Sequence, residues 1–485
     1  MTTDGNKQRI LILGGGFGGV YTAMYLEQGM TAAERERIEV SIVSNDNYIV
    51  FQPLLPEVIS GTIDALHCIT PIRRLAKRAH LHTRDIEAID LEKKQVRLAP
   101  GYLPKPVVLD FDHLVIGLGT RLNYAVTPGM KEHGIPFKYL GDALRLRNEA
   151  VRALEEADNE ANPAEKKKLL TFIVGGGGFS GVECIAELND FLTSAVKAYR
   201  NLKKSDIRCV LLQSAERILP ELGEDLAVYA QKILEKRGVE IRLNTRLKAI
   251  SADGVLIEAK GAGKQESIAS RSVVVTVPAA PHPIVTSLPV PQEKGRIKVN
   301  EFMEVPGFPG LWSVGDCAAV PQRDGILSPP TAQHALRQAQ TCAQNILATL
   351  RGKPLRPFLF TGLGKLASLG QMSAVAEVFG IRSRALSLGC FGERSTSRNS
   401  PASIAASASR WTGSWTCCCR ETSRRSASFK RTPSFKSTFI QARRSLTRAI
   451  SATSCTRSSK AMLKSSREAT SSRRWEPGHC SVRSR

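Results

Sequence analysis

Two sets of residues in this sequence have the types and spacing to do chemistry. Gly14, Gly16 and Gly19 stand at G-x-G-x-x-G spacing, and Gly176, Gly178 and Gly181 repeat it 162 residues later. Such a triplet serves to bind the pyrophosphate of a dinucleotide. The first glycine permits a tight turn, the second lets phosphate approach the backbone, and the third lets a helix pack closely on a strand. No nucleophile–base constellation stands beside them, and the first five cysteines show neither disulfide nor zinc spacing.

Each triplet needs a strand before it and a helix after it, and both are present. Ile10 to Leu13 reads as a buried strand and Val20 to Glu27 as a helix. Thr171 to Val174 is the second strand, and Val182, Ile185, Ala186 and Leu188 mark an amphipathic helix. The helix start offers free N–H groups and a positive dipole end to phosphate. One glycine fingerprint is weak evidence; two in matched contexts indicate tandem copies of one design.

The later segments repeat as well. Ile38 to Val43 is followed by Ser44-Asn45-Asp46, where Asp46, two places late, is the candidate acid for a ribose. Arg208 to Leu212 is the matching strand, with Gln213 after it. Meanders are expected over residues 83–109 and 240–259, turning at Glu92-Lys93-Lys94-Gln95 and Asp253-Gly254. Buried strands close the units at 112–120 and 273–277. A turn-rich linker, Pro281 to Gly295, precedes a strand ending in Gly315-Asp316, and Ser328-Pro329-Pro330-Thr331 leads into a helix from Ala332. The expected fold is α/β, two tandem Rossmann-like dinucleotide-binding domains. One comprises 1–150 plus 290–345 and the other 151–289, with a short C-terminal region at 346–382 and a disordered tail at 383–485.

The formal charge of +23 would suggest nucleic acid, but it is unevenly placed. From Ser383 onward there are 21 Lys and Arg against 4 Glu and no Asp. Nucleic acid is therefore not an expected partner of the folded region. There is no secretory signal and no apolar run long enough to span a bilayer, and the cysteine spacing suits a cytoplasmic protein.

Taken together, the two triplets and the late Gly-Asp resemble the two-dinucleotide flavoprotein reductases. Phe51 to Val58, Gly181-Val182-Glu183, Thr331 to Gln338 and Gly364 to Gly370 resemble type II NADH dehydrogenase, the single-subunit NADH:quinone oxidoreductase. The resemblance covers residues 8–382 and implies a glutathione-reductase-like fold. The first and last segments would hold FAD non-covalently, through Gly14, Gly16, Phe17, Gly19, Asp46, Gln52, Thr120, Gly315, Asp316 and Ala332. The middle segment would hold NADH along Gly176, Gly178, Gly181 and Gln213. Glu183, Gln333, Arg337 and Lys365 would be the residues nearest the chemistry, by a quinone pocket. Further implications are electron transfer without proton pumping, attachment to the inner face of the cytoplasmic membrane, and a homodimer.

Two departures from the family pattern matter. A glutamate usually stands at Gln213; glutamine keeps hydrogen bonds to ribose but loses the repulsion of a 2′-phosphate, so some NADPH use is expected. The quinone helix often carries Ala-Gln-x-Ala-x-Gln, whereas the last position here is Arg337, with Gln338 beside it. Disulfide reductases need a Cys-x-x-x-x-Cys pair and Cys68 stands alone. A sulfide:quinone oxidoreductase would need paired cysteines, for which Cys184 and Cys317 are the candidates. A catalytically idle nucleotide-binding protein, disabled by its tail, is the reading of another class.

The tail changes composition abruptly, with 25 Ser and 17 Arg after Arg382. Back-translated and read one base earlier, it permits an aromatic run resembling the family's membrane-surface helix, and then segments resembling a cyclic-nucleotide-binding domain. The expectation is a frameshift just after Arg382, natural or in the sequencing, which would remove the membrane-docking helices.

Overall fold

The computed structural model describes residues 7–384, apart from 262, 264, 277, 278, 324, 371, 372, 379 and 380. The chain opens with strand β1 (Gln8–Leu13), helix α1 (Phe17–Gly29) and strand β2 (Ile38–Ser44), and a short helix α2 (Leu55–Ser60) follows. Strands β3 (His80–Thr83) and β4 (His113–Ile116) flank a three-stranded meander, Ile86–Asp90, Gln95–Leu98 and Val107–Asp110. Then come β5 (Ile135–Pro136), the long helix α3 (Leu140–Asn159), β6 (Thr171–Gly175), helix α4 (Phe179–Ala195), β7 (Arg208–Leu212), β8 (Val239–Arg242) and β9 (Ser272–Val275). The chain returns with β10 (Leu311–Ser313) and helix α5 (Ala332–Leu350), and ends in an antiparallel sheet of β11 (Gly364–Ser368), β12 (Ala374–Val378) and β13 (Ile381–Arg384).

The strands assort into two parallel sheets of the same design. The first has the order β10-β4-β1-β2-β3 and the second β5-β9-β6-β7-β8. In each, the glycine loop follows a central strand, buried on both faces as a parallel sheet requires. The sequence accounts for this directly: Ile10 to Leu13 and Phe172 to Val174 are continuous apolar runs, and all are buried. Ile12, Val20, Trp312 and Ile346 belong to one hydrophobic cluster around the first sheet. Phe172, Val182 and Leu211 belong to another on the second. The expected meanders form, with the second turning at Gly254 (φ 141°).

The expected boundary at residue 150 does not match the packing. Helix α3 runs unbroken through it, and β5 already pairs with β9 of the second sheet. Leu54, Leu55, Val58 and Ile59, around α2, also pack into the second unit's core. The sequence of α3 is polar and rich in Ala and Glu, yet its Ala143, Leu146, Ala150, Ala153, Leu154 and Ala157 form a buried stripe. Ala367, Leu369 and Val375 of the C-terminal sheet join the same core. Of the tail in which frameshift and disorder are expected, all but residues 383 and 384 lies outside the described residues. Among the described residues no helix is long and apolar enough to cross a membrane.

Candidate functional site

The two glycine loops are built to the same measure. Gly14 and Gly176 sit at φ 117° and 116°, a conformation that disfavours any side chain. A Cβ on Gly19 would lie 2.0 Å from the Gly14 carbonyl oxygen, and one on Gly181 would lie 1.8 Å from that of Gly176. In both loops the third glycine therefore lets the helix start press onto the first.

The second glycines behave oppositely, as a ligand cradle demands. A Cβ on Gly16 would meet nothing within 4 Å, and one on Gly178 only Glu221 Oε1 at 3.7 Å. Each is the N-cap of its helix, and neither helix has a side-chain cap. Uncapped N–H groups at the head of helices of 13 and 17 residues, beside open space, fit a dinucleotide pyrophosphate.

The stations after the second strands also correspond. Gly14 N–H donates to the Val43 carbonyl at 2.8 Å, and Gly176 N–H to that of Leu212 at 2.9 Å. Ser44 therefore occupies in the first unit the place that Gln213 occupies in the second. Asp46 is exposed two residues farther on, its N–H donating to Ser44 Oγ at 3.3 Å. Gln213 is buried and engaged: its Oε1 accepts from Gly177 N–H at 3.2 Å, and its Nε2 donates to the Arg217 carbonyl at 3.0 Å.

On the first unit's side Gly315 takes φ 77°, and its N–H donates to Gln338 Oε1 at 2.8 Å. Burial pushes the Asp316 carboxyl up, while Lys138 and Arg296 act to lower it. Lys138 Nζ donates to the Thr120 hydroxyl at 2.9 Å, which ties Thr120 to Asp316 through one half-buried cation. Phe17 packs edge-on to exposed Phe51, with ring centroids 6.0 Å apart, and Gln52 beside it is exposed.

Helix α5 and strand β11 meet through backbone and side chain. Gln333 donates to the Gly364 carbonyl at 3.2 Å and accepts from Leu363 N–H at 3.0 Å, so both ends of its amide hold this loop. The Arg337 guanidinium lies over the Phe360 ring, 5.1 Å from its centroid. Lys365 is exposed and donates to the Glu221 carbonyl. Ala332 is half-buried at the helix start, and His334 Nδ1 lies 2.7 Å from Thr331 Oγ1. His334 Nε2 is buried without a partner among the described residues.

Glu183, the fifth residue of α4, accepts a hydrogen bond from Ser368 N–H of β11 at 3.1 Å. Burial pushes its carboxyl up to about 8, and the nearby carboxylates Glu57 and Glu187 push the same way. A carboxyl poised near neutrality can take up and release a proton at working pH. Cys184 and Cys317 are fully buried in separate hydrophobic clusters. Burial pushes both thiols up, so they form no reactive pair.

Sequence reasoning did not single out Lys138, Glu57 or Glu187. Glu187 was legible as the i+4 neighbour of Glu183; the others become neighbours of the site only through long-range packing.

Two parallel sheets, each with a glycine cradle at a helix head, and a Gly-Asp turn returning to the first, define an oxidoreductase of the two-dinucleotide class. Residues 8–339 match the family model described as pyridine nucleotide-disulphide oxidoreductase. The chain is 32% identical to the demethylphylloquinone reductase NdbB of Synechocystis over 380 residues, covering 78% of this chain and 88% of that protein. It is 28% identical to the type II NADH:quinone oxidoreductase of Staphylococcus epidermidis, covering 77% and 90%. Its fold is similar to that of the Plasmodium falciparum NDH2 solved in complex with NADH. The TM-score is 0.72 at 19% identity, covering 81% of this chain and 95% of that one. The chain belongs to the pyridine nucleotide-disulphide oxidoreductases, in their type II NADH dehydrogenase branch.

Proposed function

We propose that this protein is an FAD-dependent NADH:quinone oxidoreductase that pumps no protons. The observation that carries the reading is the pair of matched cradles, with a protonatable carboxyl on the helix behind the second. Gly14, Gly16 and Gly19, with Asp316 behind them, hold FAD, and Gly176, Gly178, Gly181 and Gln213 hold NADH. Bound FAD would supply the two-electron relay between NADH and the quinone. NADH yields a hydride and the quinol needs two electrons and two protons, so one proton per turnover comes from water.

The chain's own residues orient and protonate. Uncapped helix N-termini hold the two pyrophosphates in place. Gln338 fixes Gly315, and so the placement of Asp316; Lys138 links Asp316 with Thr120. Gln333, Arg337, Phe360 and Lys365 shape the quinone side, where Gln333 acts by holding the loop before β11. Glu183 exchanges the proton. NADH is the preferred donor, with NADPH accepted because Gln213 carries no charge. The site of action is the cytoplasmic face of a membrane, with peripheral attachment, and the enzyme acts as a homodimer.

Purification of the full chain with FAD, followed by anaerobic addition of NADH and then a short-chain quinone, tests this. Bleaching of the yellow protein by NADH and return of its colour with quinone are expected. A chain that holds no flavin, or one that NADH bleaches and quinone leaves bleached, overturns the reading.

A further inference from the structure

The two cradles differ in what stands beside them. A Cβ on Gly16 would meet nothing within 4 Å, whereas one on Gly178 would meet the Glu221 carboxylate, Oε1 at 3.7 Å. Helix α4 starts from that glycine with no side-chain cap. A negative side chain therefore stands next to the free N–H groups and positive dipole end that a pyrophosphate would use. Among the described residues the carboxylate itself has no hydrogen-bond or ion-pair partner.

The backbone that carries Glu221 is fixed. Leu219 takes φ 47°, a left-handed conformation that residues other than glycine rarely adopt, and its N–H donates to the Gly177 carbonyl at 2.7 Å. That bond ties residues 218–222 to the middle of the second glycine loop. Ile218, Leu219 and Leu222 are buried in the second unit's core, while Pro220 and Glu221 between them are exposed.

The cations around this segment are engaged with other groups. Arg217 donates to the Pro220 carbonyl at 3.2 Å, and Lys365 of β11 donates to the backbone carbonyl of Glu221. Arg382 pairs with Asp225 at 2.9 Å. Core packing on one side and Lys365 on the other hold the main chain, and only the side chain of Glu221 is left to move.

Resting on the assignment of this cradle to NADH, we propose that Glu221 is a displaceable anion that sets the affinity of the second cradle, competing with the dinucleotide's pyrophosphate for the head of α4. The arriving pyrophosphate repels the carboxylate, and the side chain turns out to solvent while the backbone stays in place. The penalty falls on NADH and NAD+ alike, so it weakens binding of both and hastens departure of the spent nucleotide. The contrast between the loops follows from the different tenure of their ligands. FAD stays bound through every turnover and its cradle is clear; the nicotinamide nucleotide must leave each time. Glu221 makes and breaks no covalent bond in this scheme.

The test is calorimetric binding to the full chain loaded with FAD, with no quinone present. ADP-ribose is the probe, because it carries the pyrophosphate and lacks the nicotinamide. Glu221→Gln should bind it about fivefold more tightly than wild type at low ionic strength, and Glu221→Lys more tightly still. The differences should largely vanish at about 1 M salt, where charges are screened within roughly 3 Å. In steady state, KM for NADH and the inhibition constant of NAD+ should fall together in Glu221→Gln. Equal affinity in wild type and Glu221→Gln would overturn the proposal. So would weaker binding by Glu221→Gln, which would make the carboxylate a partner of the nucleotide and not its competitor. A gap that salt leaves undiminished would assign the effect to shape and overturn it as well. If neither wild type nor the variants bind ADP-ribose, the assignment of this cradle to NADH fails, and the proposal with it.

Discussion

The two glycine-led helices begin alike and diverge two residues after the third glycine. Phe17 and Phe179 follow the second glycine of each loop, and Val20 and Val182 follow the third. From there α1 carries Tyr21 and Tyr25 where α4 carries Glu183 and Glu187. In α1 the face is an aromatic ladder, Phe17 to Tyr21 at 6.2 Å and Tyr21 to Tyr25 at 6.4 Å, on a helix packed against α5. In α4 the same face holds buried carboxyls against α2 and β11. One backbone device thus stands at the head of two different helix faces: the glycine geometry is shared, and the side chains that ride on the helix behind it are not.

Removing the device should have the largest effect. Gly19→Ala and Gly181→Ala each drive a methyl into a carbonyl oxygen, at 2.0 Å and 1.8 Å. Clashes of this kind cost on the order of 3 kcal/mol or more. Gly19→Ala should be isolated without flavin. Gly181→Ala should stay yellow while bleaching by NADH slows about a hundredfold, as flavin-to-protein ratios and stopped flow would read. Loss of flavin from both would erase the division of labour between the loops.

Next comes the helix face. Glu183→Gln should slow reoxidation by quinone about a hundredfold, while Tyr21→Phe at the equivalent station should change it less than twofold. Equal effects in steady-state and half-reaction assays would mean that the two faces do not differ in function.

Stability against pH gives a third contrast. Burial raises Glu57 from 4.5 to about 7, so the folded chain binds more protons than the unfolded one between those values. The stability tied to that proton is fully present below 4.5 and is lost as pH rises through 7. Glu57→Gln should therefore be more stable than wild type at pH 8, by on the order of 2 kcal/mol, and the gap should narrow toward pH 5. Parallel melting curves at both pH values would show that Glu57 ionises freely in the fold.

The smallest effect concerns the stations after the second strands. Gln213→Glu should shift the NADH to NADPH preference about tenfold toward NADH, through repulsion of the 2′-phosphate. Unaltered kcat/KM ratios would place the 2′ position away from this residue.

Much of this was legible because it is local. Strands β1 and β6 are continuous apolar runs, and the need for glycine at Gly14, Gly19, Gly176 and Gly181 arises within a few residues of chain. The domain boundary was not legible, because α3 hides a buried alanine stripe in a polar helix. That Ser44 and not Asp46 shares the place of Gln213 was not legible either, because only the bonds of Gly14 to Val43 and Gly176 to Leu212 align the two strands.

By itself the sequence determined two dinucleotide cradles, their order and the family they belong to, since turn conformation and helix starts are set by neighbours along the chain. Only the tertiary structure decided which carboxyls hold protons. Glu57, Glu183 and Ser368 are far apart in sequence, and it is the packing of α2, α4 and β11 that strips water from them. Desolvation, not residue type, lifts Glu57 and Glu183 above the ordinary carboxyl range.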